Sequence, residues 1–135
     1  MSANLAFRNF ESLLVLREND KPPEDAEWDA CLDAVRSHKE HLARLRVLVR
    51  TPGGGPTGPQ RARLAKVLGG VKLRIAVVTE KIAVRFIVSS VALFTAGIRS
   101  FSPDELDKAY AHLDLNQAER MLAARAYEEM GPLME

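Results

Sequence analysis

The sequence predicts an α/β fold, in which a mostly parallel sheet of four to five strands is opened by a β-hairpin and covered by packed helices. Three observations lead to this prediction. Two short apolar runs open the chain at 5–10 and 13–17, and later strand-length runs alternate with segments of helical period. The run 73–78 is almost continuously apolar, as a central parallel strand requires. The predicted order is ββαβαβαβαα, with right-handed crossovers between parallel strands.

The first half of the chain supplies a hairpin, a helix, a strand and a second helix. The first helix begins near Glu24, and its apolar residues recur at helical spacing: Trp28, Cys31, Leu32, Val35 and Leu42. A strand at 44–49 leads into a loop at 51–59 that is rich in glycine and proline. A short helix at 60–68 then ends at two consecutive glycines.

The second half follows the same alternation. Thr79 is placed to cap a helix at 81–95, and a short strand follows at 97–101. Ser102 and Glu105 form a capping-box pattern with Pro103 at the first helical position, which fixes the start of the next helix. Asn116 and Glu119 open a last helix that ends near residue 130.

Length and composition indicate one ordinary globular domain. The chain has 135 residues, of which 47% are hydrophobic and 27% are charged. The longest apolar stretch, at 82–94, is shorter than the ~20 residues that cross a bilayer. Cys31 has no second cysteine with which to form a disulfide, and the first residues lack a secretory pattern. We therefore expect a cytoplasmic protein.

Charge is segregated along the chain. Residues 1–40 carry a net charge of −4, residues 41–103 carry +10 and residues 104–135 carry −5. A basic middle can bind an anionic ligand or partner. Alternatively, the acidic ends fold back beside the middle and neutralise it, or the charges lie on solvated faces.

The order of elements resembles the STAS fold of bacterial anti-sigma-factor antagonists and of the cytosolic parts of sulfate transporters. The resemblance covers about residues 5 to 115. Its most specific part is the stretch FTAGIRSFSPDELDKA at 94–109, which is similar to the end of STAS-like and SEC14-like bacterial domains. It implies a single STAS-like domain over 1–135, in which 116–135 form a C-terminal helical extension.

The resemblance also implies a function: a non-enzymatic regulatory or protein-interaction module in bacterial signalling. Anti-sigma-factor antagonists carry a phosphorylatable serine at the start of the helix after their third strand. The matching residues here are Gly55, Pro56, Thr57 and Gly58, so Thr57 supplies the only hydroxyl, and the preceding acidic residue is absent. Thr57 is either the modified residue or a plain helix cap.

The glycine-rich loop suggests an alternative function, which is binding or sensing of a small anionic or lipidic ligand. Glycines let backbone N–H groups approach an anion, and the following helix adds the positive end of its dipole. The candidate groups are Arg50, Thr57, Arg61 and Arg63. The loop lacks the Gly-Lys-Ser/Thr ending of a nucleotide-triphosphatase motif, and its prolines remove donors. A simple connecting loop is the other interpretation.

The helix predicted at 81–95 has more apolar surface than one sheet face can cover. Its predicted interaction surface combines a narrow polar stripe with the large apolar residues beside it: Ile82, Arg85, Phe86, Val88, Ser89 and Val91. Burial against the last helix is one explanation. A second copy of the chain, a protein partner or, less in keeping with its few lysines, a lipid surface are the others.

The sequence contains no pattern that indicates catalysis. His38 and His41 lie on one predicted helix without a zinc-binding motif, and Cys31 occupies an apolar helical position typical of a buried, inert thiol. We expect no catalytic residue, no metal and no cofactor. The few aromatic residues sit at core-type positions, which does not favour nucleic acid as a partner. We expect a homodimer, a protein partner or a small anion.

Overall fold

The computed structural model describes residues 3–84 and 97–133, and these form an α/β fold around a five-stranded mixed sheet. The strands are β1 (Leu5–Asn9), β2 (Leu13–Glu18), β3 (Arg46–Arg50), β4 (Arg74–Val78) and β5 (Ile98–Phe101). They lie in sequence order across the sheet. Strands β1 and β2 are antiparallel, and the remaining neighbours are parallel. The predicted hairpin and mostly parallel sheet are confirmed.

Four α-helices lie within the described residues: α1 (Asp25–Arg36), α2 (Gly58–Leu68), α3 (Leu106–His112) and α4 (Gln117–Met130). Helices α1 and α2 connect successive parallel strands and pack on one face of the sheet, as crossovers of one hand require. Helices α3 and α4 follow β5 and pack on the other face. The part of the chain that is described also has helical residues at 82–84, where the predicted helix 81–95 begins.

Two apolar cores result from the alternation of side chains along the strands. In β2, Leu13 and Val15 join the core under α3 and α4, whereas Leu14 and Leu16 join the core under α1 and α2. Strand β4 lies between β3 and β5 and is covered on both faces, as its continuous apolar run predicts.

The structure differs from the predicted helices at two places. Helix α1 ends at Arg36, and the segment Lys39–Arg44 forms a 3-10 helix in which His41 has non-helical φ and ψ values. Leu42 still packs on the α1 side of the sheet. The capping box at Ser102 starts a 3-10 turn at Pro103–Glu105, and α3 follows it. In both places a short 3-10 segment changes the direction of the chain between an α-helix and the adjacent strand.

The acidic ends of the chain do fold back onto the basic middle. Arg46 of β3 forms an ion pair with Glu119 of α4, and Arg63 of α2 forms one with Asp29 of α1. Arg46 also donates to the carbonyl oxygens of Leu113 and Asp114, at 3.3 and 3.1 Å. Part of the charge segregation therefore serves intramolecular pairing.

Candidate functional site

The parallel strands β2 to β5 all end at one edge of the sheet, and a cleft lies at this carboxyl edge. Its volume is about 370 Å³. The residues at the strand ends and the C-terminal helix line it, among them Arg17, Glu18, Arg50, Thr51, Glu80 and Tyr127. Loops at the carboxyl ends of parallel strands are the usual place for ligands in open α/β sheets. A wider cleft of about 990 Å³ at the opposite end is lined by His38, His41 and exposed charged residues.

Two arginines stand side by side in the cleft. Arg17 of β2 and Arg50 of β3 are register partners on neighbouring parallel strands. Both guanidinium groups stack on the ring of Tyr127, with their central carbons 3.8 and 3.6 Å from the ring centroid. The aromatic face attracts both cations, which offsets the repulsion of two adjacent like charges.

The two guanidinium groups differ in their polar contacts. The Nη1 atom of Arg17 donates to the Tyr127 carbonyl oxygen at 2.8 Å, near the C-terminal end of α4. A cation at that position is favoured by the helix dipole. Arg50 has no hydrogen-bond or ion-pair partner among residues 3–84 and 97–133. Its donors are thus available to an anion that enters the cleft.

Glu18 follows Arg17 directly, but its side chain belongs to the opposite face of the sheet. Alternation along β2 places it with Leu14 and Leu16, on the side of α1. It is only 5% exposed, and its Oε2 atom has no hydrogen-bond partner within the described part of the chain. Burial raises the pKa of Glu18 from 4.5 to about 8. The carboxyl is therefore protonated at neutral pH.

Cys31 of α1 shares this buried environment. Its side chain is 3% exposed, and burial together with the charge of Glu18 raises the pKa of the thiol to about 12. A thiol with so high a pKa is a poor nucleophile. This agrees with the expected buried, inert cysteine.

The glycine-rich loop passes over the strand ends and packs against the end of β2. The Gly54 N–H donates to the Asn19 carbonyl oxygen at 3.0 Å. Thr51 holds the turn, because its hydroxyl donates to the Gly54 carbonyl oxygen at 2.7 Å and accepts from the Gly53 N–H at 3.1 Å. A Cβ atom at Gly54 would lie 2.5 Å from the Lys21 carbonyl oxygen, so only glycine permits this approach.

The four residues proposed as an anion site do not form one contact group. Arg50 stacks on Tyr127 on the α4 side of the sheet, whereas Arg63 pairs with Asp29 of α1. Arg61 donates to the Pro56 carbonyl oxygen at 2.9 Å. Thr57 is the N-cap of α2, and its hydroxyl accepts from the Gln60 N–H at 3.2 Å. Of this set, only Arg50 lines the carboxyl-edge cleft.

The sequence left two roles open for Thr57, a helix cap and a modified residue. The structure shows the helix cap. Its side chain is exposed, so phosphorylation of Thr57 stays a prediction. The predicted interaction surface is described only at Ile82, which is 74% exposed. Its other members, Arg85, Phe86, Val88, Ser89 and Val91, lie outside the described residues.

Arg17, Glu18 and Tyr127 are members of the carboxyl-edge region that the sequence did not single out. A signal existed for the arginines, because each ends an apolar strand run and the two strands were predicted to be parallel. Tyr127 carried no such signal, since the position of α4 over the sheet depends on tertiary packing.

The described ranges contain no group of three or more His, Cys, Asp and Glu side chains that could hold a metal ion. No helix in them is long and apolar enough to span a bilayer. In comparisons with known proteins, no family model, no curated protein and no solved structure matches this chain. The resemblance to STAS domains therefore stays a prediction.

Proposed function

We propose that this chain is a non-enzymatic binding module that takes a small organic anion, a carboxylate or a phosphate monoester, at the carboxyl edge of its sheet. The observation that carries the proposal is the pair of in-register arginines, of which Arg50 has no polar partner in the described residues. A planar guanidinium binds carboxylate and phosphate groups through two parallel hydrogen bonds. The cleft, at about 370 Å³, is in the size range of small-molecule sites.

The surroundings of Arg50 suit a ligand of limited charge. Arg17 adds a second cation, and the hydroxyl of Thr51 is engaged with the loop backbone. Glu80, exposed at the end of β4, would repel a highly charged anion that filled the whole cleft. We therefore expect one anionic group beside Arg50 and a neutral or cationic remainder beside Glu80.

Titration calorimetry with amino acids and with phosphate monoesters, nucleoside monophosphates included, tests the proposal. We expect at least one of these ligands to bind, and Arg50→Gln to weaken its binding at least ~10-fold. Arg63→Gln is the matched control, because it removes a guanidinium that is already paired with Asp29. Circular dichroism establishes that each variant is folded. If no anion binds, or if Arg50→Gln and Arg63→Gln bind equally well, the proposal is wrong.

A second candidate function is the self-associating regulatory module that the STAS resemblance implies, in a cytoplasmic setting. Exposed large apolar side chains favour it: Ile82, Met121 at 58% exposure and Leu122 at 39%. Light scattering across a concentration series tests this function. We expect the chain to be dimeric and Ile82→Asp to shift it toward monomer, whereas Lys72→Asp, an exposed substitution before β4, leaves the dimer intact. A strictly monomeric parent protein would exclude self-association.

A further inference from the structure

The Glu18 carboxyl is buried between two structural elements, here called its walls, and one of them is held by few contacts. Helix α1 forms the first wall, and Trp28 fastens α1 to α2 because its indole N–H donates to the Gln60 carbonyl oxygen at 2.9 Å. The glycine-rich loop forms the second wall, and a Cβ atom at Gly55 would lie 4.0 Å from Glu18 Oε2. The glycines at 53–55 add no side chains, so this wall is held by the Gly54 N–H bond to the Asn19 carbonyl oxygen and by the bonds of the Thr51 hydroxyl to Gly53 and Gly54.

Within residues 3–84 and 97–133, few charges face the Glu18 carboxyl. From α1, the Cys31 thiol is the titratable group in electrostatic contact with it. From the loop, the glycines contribute none, and Lys81 lays its side-chain carbons over Gly53. From β1, Leu5 is its register partner, and beyond β2 the backbone of Asn19 and of Lys21 approaches Gly54. Arg17 and Arg50 project from the other face of the sheet.

We propose that Glu18 and the loop at 51–58 form a proton-controlled clasp, in which the loop stays closed over the neutral carboxyl and lifts when the carboxyl ionises. Burying a neutral carboxyl with one unpaired oxygen costs relatively little free energy. Burying an unpaired carboxylate in the same site costs far more. Lifting the loop breaks a few backbone hydrogen bonds and gives the carboxylate access to water. Moving α1 would break a packed helical core instead.

The pH at which the clasp opens follows from the burial of the carboxyl. Because burial raises the pKa of Glu18 to about 8, the loop is closed at neutral pH and opens progressively as the pH passes 8. Glu18 and Thr51 line the carboxyl-edge cleft together with Arg50, but the clasp requires no ligand in that cleft, and its tests do not measure anion binding.

The rate of alkylation of Cys31 by iodoacetamide measures opening, because Cys31 is the only cysteine of the chain and shares the Glu18 enclosure. The rate in the parent protein is followed from pH 6.5 to 9.5 and divided by the rate for Glu18→Gln at the same pH, which removes the pH dependence of thiolate formation at Cys31. We expect this ratio to rise at least ~10-fold across the range. The rate for exposed Glu11→Gln, divided in the same way, should rise as that of the parent does.

Hydrogen exchange on the parent protein separates local opening from global unfolding. The hydrogen-bonded amides of Gly53 and Gly54 should lose protection above pH 8, after correction for intrinsic exchange, while those of β3 and β4 keep theirs. Equal pH dependence of the alkylation rate in the parent and in Glu18→Gln would overturn the clasp. So would simultaneous loss of protection in the loop and the strands.

Discussion

Arg17 and Glu18 are neighbours in the chain, yet the two faces of the sheet treat their charges in opposite ways. Arg17 projects toward α4, where an aromatic ring and a helix carbonyl compensate its charge beside an open cleft. Glu18 projects toward α1, where nothing in the described residues pairs with its Oε2 atom, and it keeps its proton. Successive residues of a strand face opposite sides of the sheet. The side that a charged residue faces, and not its neighbours in the sequence, therefore decides whether it keeps its charge in the folded protein.

The largest expected effect is on the free energy of unfolding, when Glu18 is replaced by a residue that cannot ionise. The folded-state pKa lies above the unfolded value, so the favourable contribution of the protonated form is complete below pH 4.5 and is lost as the pH rises toward 8. Glu18→Gln cannot ionise. We expect its free energy of unfolding to exceed that of the parent by on the order of 4 kcal/mol at pH 8.5 and to match it near pH 4.5.

Urea denaturation at the two pH values measures this difference. Equal stability of Glu18→Gln and the parent at pH 8.5 would show that the carboxyl is solvated or paired, and would remove the contrast between the two faces.

The next largest effect is expected from substitutions in the glycine-rich loop that covers Glu18. Gly54→Ala places a methyl group against the Asn19 and Lys21 carbonyl oxygens, whereas Gly55→Ala meets nothing closer than 4.0 Å. We expect Gly54→Ala to lower the free energy of unfolding by roughly 3 kcal/mol and Gly55→Ala by less than about 1 kcal/mol. Thermal denaturation of both variants checks this, and similar losses would mean that the loop is not seated on the end of β2.

On the arginine face, Tyr127 is the group to remove. Tyr127→Ala deletes the ring that both guanidinium groups contact, and we expect a loss of about 2 kcal/mol in unfolding free energy. Tyr127→Phe keeps the ring and should stay within about 0.5 kcal/mol of the parent. If both variants lose equal stability, the phenol hydroxyl and not the stacked ring compensates the arginines.

The smallest expected effect is on Glu119, a carboxylate that has a partner, and it provides a contrast to Glu18. Hydrogen bonding from Arg46 lowers the pKa of Glu119, so its contribution is present above pH 4.5 and is lost as the pH falls below that value. We expect Glu119→Gln to cost about 1 kcal/mol at pH 7 and progressively less as the pH falls below 4.5. The pH dependence is thus opposite to that of Glu18→Gln, and acid titration of both variants followed by circular dichroism compares them.

The sequence predicted the order of elements along the chain and a mostly parallel sheet opened by a hairpin, because apolar period and turn residues are local signals. Thr57, Asn116 and Ser102 illustrate this, since each begins its helix or turn through a capping box. The sequence also located the glycine-rich loop. The 3-10 segment at Lys39–Arg44 was missed because Leu42 still satisfies the helical apolar spacing.

Most of the candidate site could not be predicted in this way. Arg50 was identified by its place before the loop, but its partner Tyr127 is far from it in the chain and meets it only after α4 packs on the sheet. Glu18 looked like an ordinary charged residue at the end of a strand. Its burial depends on α1 and on the close approach of Gly54, and both are tertiary contacts.

The guanidinium of Arg46 joins parts of the chain that are synthesised at different times. It reaches Ser12 in the first hairpin at 2.8 Å, the carbonyl oxygens after α3, and Glu119, which lies 73 residues further on. During synthesis at 5–20 residues per second, roughly 4 to 15 seconds separate the arginine from its carboxylate. Through that interval Arg46 lacks its carboxylate partner, so the full set of contacts around this guanidinium can form only once α4 has been synthesised.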